Sequence, residues 1–370
     1  MLSIIIFILI LSFLVMIHEF GHFIMAKRSG IGVEEFGFGL PPRAWGKKIG
    51  GTIYSLNWLP FGGFVRLVGE DVDDKHKDAK NSFYTKNIWQ RMVVVVAGVF
   101  MNFVVAVGVF YIVVFALGFK VNLPLIADHK FAFVNQSNEV LIADVSAGSA
   151  AQKAGIEAGS AIISVNGQEI TSTSQLQSLI RASENKPVEL VLENPVNNSQ
   201  RRVSVTPTYN SDVKAPALGV ELGEIVALKY TTLPQKLFAG FIHSWNTFDY
   251  SVTVFGKLIA YSLREHTIAP VSENVSGPVG IVQITSQAVS LGIVSVLQLI
   301  GLLSLNLAVL NILPIPALDG GRFAFIVFEL VTRRRANATF EKWVHTVGFA
   351  FLIGLIVLIT YNDVLKLFHH

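Results

Sequence analysis

The chain alternates between long apolar runs and stretches that are rich in charged residues, glycine or other polar side chains. Four apolar runs stand out, at residues 1–15, 91–119, 293–316 and 347–361. Each is close to the roughly 20 residues that an α-helix needs to cross the hydrocarbon core of a bilayer. The pattern therefore predicts four transmembrane helices.

A segment of β-type sequence lies between the first two runs. Residues 52–58 (TIYSLNW) and 63–68 (GFVRLV) are rich in β-branched and aromatic residues, and the turn-forming LPFG separates them. Such a pair predicts a β-hairpin. The segment is too apolar for an ordinary cytosolic loop, and a small sheet packed on the transmembrane spans is one interpretation of it.

Residues 138–222 resemble a small water-soluble α+β domain. Short strand-like segments alternate with a helical pattern at 172–183, and Asn166–Gly167 is a typical hairpin turn. This stretch is the one clear candidate for a domain outside the bilayer.

Residues 233–265 are amphipathic. Apolar residues recur at steps of three and four, but Lys236, His243, Asp249 and Lys257 interrupt them. This favours a helix lying at the membrane interface rather than a fifth span, with His243 as an ordinary interfacial polar residue.

Composition supports the membrane assignment. The chain is 52% hydrophobic and only 15% charged, against about 25% charged in a typical soluble domain. The net charge of +3 is too small to indicate nucleic-acid binding, and the absence of cysteine excludes disulfides and thiolate metal sites.

The distribution of basic residues predicts the orientation. Eleven Lys and Arg lie within 27–91, and Arg333–Arg335 with Lys342 separate the last two runs. The positive-inside rule places both segments in the cytoplasm, and the long segment 120–292 outside it. We expect a multi-pass membrane protein with its polar chemistry toward the cytoplasmic side.

The end of the first run carries titratable groups. Residues 18–22 read HEFGH, so His18 and His22 are four residues apart and share one face of a helix. Two imidazoles so placed can bind one zinc ion, and Glu19 beside them can act as a general base. Ionisable groups inside a membrane span usually mark function.

A hydrolytic zinc site needs a third protein ligand, and Asp319 is the candidate in the most persuasive setting. It lies in apolar sequence, and Pro314 and Pro316 break the helix just before it. Broken backbone at membrane depth is tolerated where it lines a cavity. The competing interpretation of Asp319 is that it caps the N-terminus of a helix. Asn311 also lies in this apolar segment, and its competing interpretation is a hydrogen bond to a neighbouring helix.

These motifs resemble the site-2 protease family of intramembrane zinc metalloproteases, and more narrowly its bacterial RseP-type members. HEFGH (18–22) and NILPIPALDGG (311–321) are similar to the family's two signatures. YSLNWLPFGGFVRLVGED (54–71) and GPVGI (277–281) are similar to its other shared segments, and 138–222 resembles one PDZ domain.

The resemblance implies a fold and a site. The fold is a polytopic α-helical membrane protein with four transmembrane helices, a membrane-associated β-hairpin and one extracytoplasmic PDZ-like domain. The domains are 1–119, 120–225 (PDZ), 226–292 (interfacial helix and linker) and 293–370. The implied residues are zinc ligands His18, His22 and Asp319, the catalytic base Glu19, and the substrate contacts Asn311, Gly62, Gly63 and Phe64.

The expected activity is zinc-dependent hydrolysis of peptide bonds inside transmembrane segments. The expected partners are single-span membrane proteins, such as anti-sigma factors or remnant signal peptides, and the lipid bilayer, but not nucleic acid. Two other classes stay open: a zinc transporter, in which buried His and Asp form a transit site, and a non-catalytic PDZ scaffold in the membrane.

Overall fold

The computed structural model describes residues 2–70, 78–194, 199–210, 214–267 and 276–368. The polar connector expected at 71–81 and the hairpin tip expected at 196–200 fall partly outside these ranges. The chain divides into two compact units, residues 117–242 and the remainder.

The first unit is mainly helical. Its elements are α1 (Leu2–Arg28), β1 (Val33–Ile49), β2 (Thr52–Leu67), α2 (Ile88–Ala116), most of α6 (Ala239–Arg264), α7 (Pro278–Leu291), α8 (Ile293–Ile312), α9 (Asp319–Thr332) and α10 (Ala338–Phe368). Within the described residues, four helices are long and apolar enough to span a bilayer: α1, α2, α8 and α10 from Thr339 to Leu365. The prediction of four such helices is confirmed.

Helices α1 and α2 approach each other closely at small residues. A Cβ added at Gly21 of α1 would collide with the backbone oxygen of Ala97 in α2. Small residues of this kind let two membrane helices pack backbone against backbone. On its other side α2 packs on α8, where Ala106, Phe110 and Leu305 are fully buried.

The sheet formed by β1 and β2 differs from the predicted hairpin. Residues 35–38 of β1 pair with two different parts of β2. Residues 53–56 lie on one side of them and residues 63–66 on the other. The prediction that 52–58 pairs directly with 63–68 is therefore wrong, because β1 lies between them. Sequence periodicity marks both segments as extended but cannot show which third strand separates them.

Two side chains of α1 hold the second half of β2. The Ser12 hydroxyl donates to the Pro60 carbonyl (2.9 Å) and accepts from the Gly62 N–H (3.1 Å). Farther along the helix, the Glu19 carboxylate accepts from the Val65 N–H (3.1 Å). The bend of the sheet exposes Trp58 and other large apolar side chains, as expected of a surface that contacts lipid.

Helix α6 is less exposed than its sequence suggests. His243 is fully buried, and its ring lies edge-on to Phe110 of α2 with centroids 4.6 Å apart. The expectation that His243 is an ordinary interfacial residue is wrong, because this face of α6 packs on α2.

The second unit is an α+β domain. Its elements are β3 (Lys120–Pro124), β4 (Asn135–Val145), α3 (Ala150–Lys153), β5 (Ala161–Val165), β6 (Gln168–Glu169), α4 (Thr173–Ala182), β7 (Val188–Glu193), β8 (Gln200–Val205), β9 (Thr208–Asn210), β10 (Ala215–Ala217), β11 (Val220–Lys229) and α5 (Leu233–Leu237). The main sheet has the order β3-β11-β4-β5-β7-β8, with β6 beside β5 and a separate β9–β10 pair. Its core joins Ile142, Ile162 and Leu190 of the sheet to Leu176 of α4. The predicted turn at Asn166–Gly167 is confirmed, since both residues have positive φ.

Candidate metal centre

Helix α1 presents two imidazoles on one buried face. His18 and His22 are 7% and 8% exposed, and their Nε2 atoms lie 3.1 Å apart. The i, i+4 spacing along one helix accounts for this arrangement. The two Nε2 atoms point to one common place.

Asp319 reaches the same place from a different part of the chain. Helix α8 ends at Ile312, and the chain turns through two prolines before α9 begins at Asp319. The Asp319 Oδ2 lies 2.9 Å from His18 Nε2 and 3.2 Å from His22 Nε2. A Cβ at Gly320 would overlap the Leu313 carbonyl, so the turn requires glycine there.

The structure argues against Asp319 as a helix cap. Leu318 occupies the N-cap position of α9, and no side-chain hydrogen bond caps this end. The carboxylate instead points to the two imidazoles.

His18, His22 and Asp319, here called the metal triad, fit a zinc ion. Their three atoms lie 2.9 to 3.2 Å apart. Ligands bound to one zinc ion at about 2.0–2.2 Å in tetrahedral geometry have a similar mutual spacing. Among the described residues, the ligand atoms of these three side chains all lie within 4.8 Å of one another, close enough to hold one metal ion. Two nitrogen ligands and one carboxylate oxygen are a usual donor set for a catalytic zinc, which keeps its fourth position open.

Glu19 follows His18 directly and lies half-buried at the edge of β2. Its only described hydrogen bond comes from the Val65 N–H. The carboxylate is thus held between the helix that carries both histidines and the sheet.

The predicted substrate contacts are found in two places. Gly62, with φ +65°, bonds to Ser12, while Gly63 and Phe64 pair with Phe38 and Gly37 of β1. Asn311 lies half-buried in the last turn of α8. No hydrogen bond joins its side chain to the residues that the structure describes. The competing interpretation of Asn311, an interhelical hydrogen bond, is therefore not seen.

Helix α2 contributes residues to which the sequence analysis gave no role, although the resemblance to the site-2 protease family includes AG (97–98) and NF (102–103). The Val94 carbonyl lies 2.8 Å from His22 Nδ1, and the Asn102 amide lies 3.4 Å from His18 Nδ1. A Cβ at Gly98 would strike the His22 ring. The sequence does show Asn102 four residues after Gly98 inside an apolar run. The contact of both residues with the histidines, however, is visible only in the tertiary structure.

A cavity of about 530 Å³ adjoins the metal triad. It is lined by Asp319, Arg322, Glu70 and His345, among others, and Arg322 forms an ion pair with Glu70. The His345 Nδ1 accepts from the Ala317 N–H (2.8 Å), beside the turn that carries Asp319. The cavity gives polar surroundings to one side of the site.

Comparison with known proteins gives matches over the whole chain. The sequence model described as peptidase family M50 matches residues 6–355. A Clostridium perfringens protein, provisionally named a zinc metalloprotease, is 34% identical over 355 residues, covering 96% of both chains. The regulator of sigma-W protease RasP of Bacillus subtilis is 27% identical over 444 residues, covering 99% of both chains.

Among solved structures, the PDZ domain of an SdrC-like protein from Listeria innocua matches 23% of this chain and 92% of its own. The identity is 19% and the TM-score 0.21.

Proposed function

The chain belongs to peptidase family M50, and we propose that its metal triad holds the zinc with which it hydrolyses peptide bonds inside the membrane. The family match and the zinc metalloprotease relatives identify the protein as an intramembrane zinc metalloprotease. The observation that carries the proposed site is the meeting of α1 and α9, which brings three ligand atoms within 3.2 Å of one another.

Zinc, when bound, supplies a Lewis acid that polarises a carbonyl and lowers the pKa of water. Glu19 is the proposed general base. Its carboxylate accepts the proton of the attacking water and returns it to the leaving amine. The Val65 N–H orients this carboxylate while no substrate is present.

The edge of β2 is the proposed binding place for the substrate backbone. Because backbone groups alternate along a strand, residues 63, 65 and 67 direct their backbone N–H groups to the edge of β2 away from β1. There the Val65 N–H bonds to Glu19 of α1, and the Leu67 N–H bonds to Glu70. An extended substrate segment pairing there replaces the hydrogen bonds that it loses when its helix unwinds. Such pairing takes the Val65 N–H from Glu19 and frees the carboxylate for proton transfer.

Asn311 is proposed to contact the substrate as well. Its amide is half-buried and makes no hydrogen bond in the described chain. It lies in the last turn of α8, directly before the segment that leads to Asp319, and we propose that it donates to a substrate carbonyl. A donor there would stabilise the negative charge that develops on that oxygen.

Water must reach a site that lipid surrounds, and the cavity beside Asp319 is the proposed route. Charged residues line it, and the Glu70–Arg322 ion pair joins the segment after β2 to α9. With residues 27–91 placed in the cytoplasm, this route opens to the cytoplasmic side.

The proposed location is the bacterial inner membrane, with the second unit outside the cytoplasm. The proposed substrates are single-span membrane proteins, such as anti-sigma factors or remnant signal peptides. The name of the Bacillus subtilis relative, regulator of sigma-W protease, supports the first of these.

The second unit is proposed to be a PDZ-like domain, with two roles open to it: binding a substrate C-terminus, or screening substrates by the size of their outer domain. A cavity of about 350 Å³ lies between α4 and the start of β11. Leu176, Ile180, Leu218 and Val220 give it an apolar lining, and Arg181 and Glu221 add one positive and one negative charge. The apolar lining suits the last side chain of a peptide, and Arg181 is the proposed partner of a C-terminal carboxylate.

The Glu19→Gln variant tests the proposed function. We expect it to fold and to keep its zinc while cleavage of a single-span reporter falls by about 10²- to 10⁴-fold, because the proton acceptor is lost. A zinc transporter would keep its flux without Glu19 as a base, and a scaffold would show no cleavage in the wild type. Wild-type cleavage by the variant would contradict the proposal.

A further inference from the structure

The two histidines of the metal triad must each present a bare Nε2 to zinc, so each Nδ1 must carry the proton. For His22 the structure explains this directly. Its Nδ1 lies 2.8 Å from the Val94 carbonyl, which can only accept a hydrogen bond. The Nδ1 of His22 is therefore the donor, and its Nε2 is free for the metal.

The Nδ1 of His18 faces Asn102 of α2. Asn102 is fully buried, and its side-chain nitrogen lies 3.4 Å from the His18 Nδ1. The Asn102 Oδ1 is buried without a hydrogen-bond partner among the described residues. Amide oxygen and nitrogen are assigned from hydrogen bonds, and turning this amide over points its oxygen at the His18 Nδ1–H. That single change satisfies both groups.

The fold fixes Asn102 at this place. Gly98, one turn earlier on α2, lacks the Cβ that would strike the His22 ring, so α2 lies directly against the two imidazoles. From the other side, the Ser304 hydroxyl of α8 donates to the backbone carbonyl of Asn102 (2.8 Å). The backbone that carries the Asn102 side chain is thus held beside His18, between α1 and α8.

We propose that Asn102 is a positioning residue of the metal centre, whose side-chain oxygen accepts the Nδ1–H of His18. It holds the imidazole in the tautomer and orientation that leave Nε2 for zinc. This inference rests on the proposed zinc site and deepens it. Partners of this kind change metal affinity by 10- to 100-fold when they are removed from other metal sites.

Zinc affinity, measured by chelator competition on the purified full-length protein, tests the proposal without reference to cleavage. Asn102→Leu removes the acceptor at similar size, and we expect it to weaken zinc binding 10- to 100-fold. Asn102→Asp keeps an acceptor, and we expect its affinity to stay within a few-fold of the wild type. Asn102→Ala gives the same comparison if the leucine variant does not fold. Thr285→Val, which alters an equally buried polar side chain on α7, is the matched control and should bind zinc like the wild type.

The order of the variants separates positioning from packing. A residue that merely packs would tolerate leucine better than a buried charge, so aspartate would be the worst substitution. Wild-type affinity in the leucine and alanine variants, or an aspartate variant as weak as the leucine variant, would overturn the proposal. A wild-type protein that binds no zinc would instead refute the zinc site itself.

Discussion

Gly98 offers a sharp test of how closely α2 approaches the metal triad. In Gly98→Ala, the new methyl carbon would lie 2.7 Å from Cε1 and 2.8 Å from Nε2 of His18, and closer still to His22. Ordinary van der Waals contact begins at 3.4 Å. The imidazoles or the helix must therefore move by about 0.6 Å or more, while metal–ligand distances tolerate about 0.2 Å.

The expected loss follows from this displacement. Overpacking a well-packed interior costs about 1–3 kcal/mol. If the zinc site bears that cost, the zinc dissociation constant rises roughly 5- to 150-fold. Cleavage of a reporter should fall in parallel at limiting zinc.

Gly108→Ala is the matched control on the same helix. A Cβ there meets nothing within 4 Å, and alanine is the better helix former by about 1 kcal/mol. Zinc affinity should be unchanged in this variant. Chelator competition on both proteins is the assay, and wild-type affinity in Gly98→Ala would refute the close approach of α2.

Three further predictions address the sheet, the packing of α9 and the topology. Val65→Pro removes the N–H at the edge of β2, so cleavage should fall while zinc is retained. Glu329→Ala leaves Arg91 buried without its 2.7 Å partner, which should lower the free energy of unfolding by about 3 kcal/mol. The natural chain has no cysteine, so single introduced cysteines report the topology. A cysteine at Glu184, in the unit proposed to lie outside the cytoplasm, should react with an impermeant reagent in intact cells. A cysteine at Lys80, on the proposed cytoplasmic side, should not.

Each of these has a control or a contrary outcome. Val65→Ala keeps the N–H and should cleave normally; equal rates for the proline variant would make the edge a packing surface. Glu265→Ala breaks an exposed ion pair and should cost less than about 1 kcal/mol. Labelling at Lys80 alone would reverse the orientation.

The parts of the fold that depend on local pattern follow from the sequence. The four apolar helices, the strands of the second unit and its Asn166–Gly167 turn are examples. The shared face of His18 and His22 is also local, because both lie on one helix. Asp319 is brought to them only by the tertiary fold. Its apolar setting after two prolines made it the candidate third ligand, and the resemblance to a known family implied the same role.

What the sequence could not reveal depends on contacts between distant segments. The position of β1 between 52–58 and 63–68 is a matter of pairing, which period-two patterning does not encode. The burial of His243 follows from packing on Phe110. The role of Gly98 and Asn102 follows from the crossing of α1 and α2, so the sequence gives neither residue a role until the two helices are placed together.

The zinc content of the purified protein tests the central claim most directly. Elemental analysis of the wild type should find about one zinc per chain, held by three protein ligands. Asp319→Ala should lose most of that zinc and all cleavage, because it removes the ligand that α9 supplies. Full zinc occupancy in Asp319→Ala would contradict the account, because the metal triad would then not be the site that holds the ion.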